Sequence, residues 1–69
     1  MPSANDELAV GQLRRHMQLQ SEAIYRVCQC DRDLIAVEVV RAPGLRAGEK
    51  FRFTRDAVAA MELIDSPNG

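Results

Sequence analysis

The sequence predicts an α+β domain: an N-terminal helix, a three-stranded antiparallel meander and a C-terminal helix. Three observations carry that prediction. Apolar residues recur at helical spacing near the start, β-rich runs fill the middle, and a capped helical pattern follows the last of them. The 69 residues are read as a single small domain over 1–69, with 1–5 and 65–69 as frayed tails.

The first helix is placed over residues 6–21. Asn5 is a candidate N-cap, and Asp6 and Glu7 suit the positive end of the helix dipole. Leu8, Ala9, Leu13, Met17 and Gln20 follow a helical stripe, while Gln12, Arg14, Arg15 and Gln18 read as solvent-facing. Gly11 is the weak point, costing about 1 kcal/mol against alanine inside a helix.

After Glu22 the pattern changes. "AIYRVCQC" and "LIAVEVV" are rich in β-formers, and "CDRD" between them supplies a hairpin turn. Within residues 34–40, Ile35, Val37 and Val39 share one face, and Leu34, Ala36, Glu38 and Val40 share the other. Two mostly apolar faces mark a central strand that needs cover on both sides. Helices on opposite faces, or a second copy of the chain, would provide it. On residues 24–30, Arg26 argues that Tyr25 and Val27 are the inward pair.

"RAPGLRAGEK" is a loop in which Pro43-Gly44 suits a type II turn. "FRFT" resumes alternation, with Phe51 and Phe53 inward. Thr54 then caps a helix over "RDAVAAMELI", with Val58 and Met61 on its apolar side.

Composition narrows the class of function. Hydrophobic content of 46% with 28% charge fits a folded chain. A chain this short hides only about 60% of its unfolded surface, so oligomerisation or a ligand commonly helps. Two cysteines are too few for a disulfide scaffold. With no apolar leader and no run of about 20 apolar residues, the expectation is a cytoplasmic protein away from membranes. Arginine outnumbers lysine eight to one, the bias of a GC-rich bacterial genome.

The two cysteines, Cys28 and Cys30, stand two apart, so on a regular strand both thiols face one side. Zinc favours spacings that curl around the ion, and the redox motif is C-x-x-C at a helix start. The pair is read as structural, with a metal or thiol site as the alternative. His16 reads as a surface residue of the first helix, with no nucleophile nearby in sequence. Asp31 and Asp33 read as turn chemistry at a hairpin tip. Glu38 is expected to pair with Arg26 or Arg52 across the sheet.

Charge is unevenly placed. Residues 41–55 carry Arg41, Arg46, Lys50, Arg52 and Arg55 against one acid, Glu49, whereas residues 56–69 carry three acids and no base. These five cations are the candidate contacts for a partner or for nucleic acid. No phosphate-binding glycine motif and no G-x-S-x-G elbow occurs.

The resulting expectation is a small non-enzymatic bacterial interaction module, self-associating as a homodimer and binding a macromolecular partner, with no cofactor. The runner-up is a nucleic-acid-binding regulator using the basic segment 41–55.

Overall fold

The computed structural model describes residues 8–17 and 21–67. It consists of five strands and one short helix: β1 Leu13–Met17, β2 Glu22–Cys30, β3 Leu34–Arg41, β4 Lys50–Thr54, α1 Arg55–Ala59 and β5 Glu62–Asp65. All five strands form one antiparallel sheet in the order β4-β3-β2-β1-β5. The expected helix–meander–helix architecture is therefore wrong. The protein is mostly β, with a single helical turn on the crossover that carries the chain from one sheet edge to the other.

The N-terminal helix over 6–21 is overturned among the described residues. Its stripe is replaced by a tight turn and strand β1. Gly11, with φ +97°, sits third in a turn closed by the Gln12 amide donating to the Ala9 carbonyl. A left-handed glycine ends any helix there. Beyond it, Leu13 to Met17 lie opposite Arg26 to Glu22 on β2. Long-range pairing has overridden a local helical spacing built on only four or five residues. The N-cap assigned to Asn5 lies outside the described residues, as does Gln20.

The C-terminal helix over 55–64 begins as expected and then stops. Thr54 Oγ1 accepts a hydrogen bond from the Ala57 amide at 3.1 Å, and Asp56 occupies the first turn. After Ala59 the last turn tightens, with Met61 N–H reaching the Val58 carbonyl. Glu62, Leu63 and Asp65 then pair with Arg15, Arg14 and Leu13. The reason is the open flank of β1: its unpaired peptide groups are satisfied by a strand and not by more helix.

Strands β2, β3 and β4 occupy the three β-rich runs. The inward face carries Tyr25, Val27, Ile35, Val37 and Val39, all buried. Phe51 and Phe53 pack against this core from β4, and Tyr25 meets Phe53 edge to face at 5.4 Å. Val58 of α1, fully buried, and Met61 close it.

The requirement that β3 be covered on both faces by helices or a second copy is relaxed by this arrangement. The inner face is covered in part by α1, through Val58, and by Met61. On the outer face Ala36, Glu38 and Val40 are only half-buried, and Glu38 is bridged to Arg26 at 3.3 Å.

Turn chemistry matches the glycines of the long β3–β4 connection. Leu45 N–H bonds the Ala42 carbonyl around Pro43-Gly44, and Glu49 N–H bonds the Arg46 carbonyl around Ala47-Gly48. Both glycines have positive φ at the third turn position, the type II requirement.

Candidate binding cleft and the charged edges

At one end of the inner face the sheet does not close. A cleft of about 650 Å³ opens between β1, β4 and α1. Its floor is Tyr25, Phe53 and Met61, and Ala57 and Ala60 of the α1 segment form a wall. Met17, which is exposed, adds a flexible apolar side chain at the margin. His16, Arg15 and Glu62 complete the rim. His16, expected on a helix surface, stands instead on β1 opposite Ala23.

The rim charges are tied to one another. Arg15 donates to the Glu62 carboxylate from both Nε and Nη2, and its Nη1 lies 3.5 Å from Glu22. The hydrogen bond and the charge of Glu62 hold the Arg15 guanidinium above its ordinary pKa. Glu22 in turn accepts from Arg41. A ladder of alternating charge thus crosses four strands, Glu62 on β5, Arg15 on β1, Glu22 on β2 and Arg41 on β3. The rim is close to neutral, and the apolar surface of the cleft lies in its floor.

The five candidate cations are not gathered into one patch. Arg41 belongs to the ladder just described. Arg55 donates to the Asp31 carbonyl at 2.6 Å, pinning α1 to the β2–β3 hairpin. Arg46 lies in the β3–β4 connection, where its amide bonds the Glu49 carboxylate. Lys50 and Arg52 are exposed on β4, opposite Glu38 and Ala36. Among the described residues, Arg46, Lys50 and Arg52 form no ion pair. The phenylalanines between these cations face the core, so Arg52 is not flanked by rings available for stacking on a base.

The cysteines do not share a face, contrary to the regular-strand expectation. The β2–β3 register slips between Val27 and Gln29, leaving Cys28 as an extra residue. Cys30 consequently opposes Ile35 and packs against the core, whereas Cys28 lines a second depression, of about 540 Å³, on the outer face with Ala36 and Arg52. Both thiols are free. Among the described residues no group of three or more His, Cys, Asp or Glu side chains is placed to hold a metal ion.

Sequence reasoning missed Arg14. The helical spacing puts it on the solvent side, yet it is 1% exposed on the inner face of β1. Its Nη1 donates to the Met61 carbonyl at 3.0 Å and its Nη2 to Gln12 Oε1 at 3.2 Å. Only the alternation within "LRRHM", which places one of two adjacent arginines inward, hinted at this.

Comparison with protein-family models, with curated proteins and with solved structures finds no match. Among the described residues no helix is long and apolar enough to cross a membrane.

Proposed function

We propose that the chain is a binding module that self-associates and takes an apolar side chain of a protein partner into the cleft between β1, β4 and α1. The observation that supports this reading is the cleft itself. A volume of about 650 Å³ falls within the usual range for ligand sites, and aromatic and methionine floors are common at protein interfaces. The near-neutral rim of Arg15, Glu62 and His16 favours a peptide with polar flanks over a polyanion. The chain's role in this reading is recognition and not catalysis, in a reducing cytoplasm that suits two free thiols.

The test is selection from a random peptide display library, followed by amide NMR mapping of the enriched peptides. Enriched sequences should share an apolar anchor and shift residues around Tyr25, Phe53 and Ala57. They should lose binding to Ala57→Arg, which fills the cleft from an exposed position. Peptides that bind this variant equally well would refute the cleft.

A second reading, nucleic-acid contact, is favoured by Arg46, Lys50 and Arg52, which form no ion pair among the described residues. It predicts amide shifts on β4 with pooled DNA and RNA at low salt that fade as salt rises. An unchanged spectrum at low salt would remove it.

A further inference from the structure

The charge asymmetry of the sequence takes on a spatial form in the fold. The basic segment ends in β4, which carries Lys50 and Arg52 and runs into Arg55. The acidic segment ends in β5, which carries Glu62 and Asp65. In sheet order these are the two outermost strands, each with one neighbour among the described residues. No described ion pair joins a base of residues 41–55 to an acid of residues 56–65. The fold thus places the two segments on the two outermost strands of the sheet.

We infer that β4 of one copy pairs with β5 of the next, so that the module assembles head to tail through its sheet edges. The inference rests on the self-associating half of the reading above and names the surfaces that would do it.

Backbone geometry supports the pairing. Val39 N–H bonds the Glu49 carbonyl and Gly48 N–H bonds the Val39 carbonyl. Antiparallel alternation from that pair turns the peptide groups of Phe51 and Phe53 toward β3 and those of Lys50 and Arg52 outward. On the other flank, Val27 N–H bonds the Gln12 carbonyl, so Arg14 faces β2 and Arg15 faces β5. Glu62, opposite Arg15, therefore faces inward and the peptide groups of Leu63 face out.

Side chains agree on both faces. Lys50 and Arg52 project on the outer face, as does Glu62, and the register shift at Ile64 sets Asp65 opposite Leu13 on that same face. Phe51 and Phe53 project on the inner face, as does Leu63. With the faces matched, β4 and β5 run parallel across the joint, which sets cation beside acid on one face and ring beside aliphatic chain on the other. Pairing β4 with β4 would oppose cations, and β5 with β5 would oppose acids. The charges thus reject both two-fold arrangements and admit the heterologous one. Heterologous contacts close into a ring or extend as a chain, and do not stop at two copies.

Sedimentation velocity and light scattering over a concentration series test this. Wild type should exceed the mass of two chains as concentration rises, and added salt should reverse it. Lys50→Glu/Arg52→Glu should weaken association about tenfold or more, and Asp65→Lys should also weaken it. An equimolar mixture of the two variants should recover association, because the acidic β4 of one then meets the recharged β5 of the other. Circular dichroism checks that each variant is folded; Lys50→Gln/Arg52→Gln and Asp65→Asn replace any that is not, with smaller losses expected.

Association that stops at two copies and ignores Asp65→Lys would overturn the edge pairing. So would wild-type-like association of both variants, while leaving self-association through another surface intact. A wild type that stays monomeric throughout would end both ideas and leave the edge charges as guards against aggregation.

Discussion

The guanidinium of Arg14 donates a 3.0 Å hydrogen bond to the carbonyl oxygen of Met61, tying strand β1 to the turn between α1 and β5. Met61 lies between helix and strand, where its carbonyl has left the helical ladder. A buried cation on that carbonyl, also bonded to Gln12, supplies the acceptor with a partner and places β5 beside β1.

Removing that contact should destabilise the fold. Arg14→Ala is expected to cost about 3 kcal/mol, from the lost packing of the side-chain stem and the orphaned carbonyl. Arg14→Met keeps most of the volume and should cost visibly less. Urea unfolding of both variants measures the difference. Equal losses would show that the hydrogen bonds contribute little beside packing.

Gly11 and Gly44 both hold positive φ, but their surroundings differ. A Cβ at Gly11 would lie 3.1 Å from Pro67 Cγ, whereas one at Gly44 meets nothing within 4 Å. Gly44→Ala should therefore cost about 1 kcal/mol from the backbone alone. Gly11→Ala should cost more, because the C-terminal segment must also move. Thermal unfolding ranks the two, and the reverse order would contradict the packing of Pro67.

The helical turn has one anchor in the core and one cap. Val58→Ala should lower stability by about 2 kcal/mol through loss of buried methyl groups. Thr54→Ala should cost about 1 kcal/mol through loss of the hydroxyl that accepts from Ala57. Both are read from urea denaturation. A neutral Val58→Ala would mean that α1 does not seal the core.

The charge ladder is half exposed and should count for little. Glu22→Gln removes the charge shared by Arg15 and Arg41, yet the expected loss is within about 1 kcal/mol. The loss should vanish at high salt, where exposed charges are screened. A loss that persists undiminished in salt would point to hydrogen bonding or packing at Glu22 in place of charge attraction.

The two thiols should respond differently to substitution. Cys28→Ser, on the outer face, is expected to change stability by less than about 0.5 kcal/mol. Cys30→Ser places a hydroxyl against the core and should cost about 1 kcal/mol or more. Equal effects would argue against the register slip that separates them.

Much of the central meander was legible because its signals are local. Alternation in "LIAVEVV" and "FRFT" set the strands and their inward faces, and Arg26 correctly pointed Tyr25 and Val27 inward. Pro43-Gly44 announced its turn, and Thr54 its helix start. The candidate site was far less legible. Arg41, Arg46, Lys50, Arg52 and Arg55 form one run in sequence, but the fold gives them separate tasks. The cleft draws on His16 and Met17, whose local spacing suits a helix, and on Tyr25 and Met61, which read simply as core.

By itself the sequence determined β2, β3, β4, the glycine turns and the capped start of α1, since each depends on neighbours a few residues away. Only the tertiary structure decided that "LRRHM" is β1, that "ELID" is β5, that Arg14 is buried and that Cys28 and Cys30 part company. These features depend on which distant strand offers unpaired peptide groups and at what register. A short segment with mixed polarity has nearly balanced local preferences, so the partner strand decides its conformation.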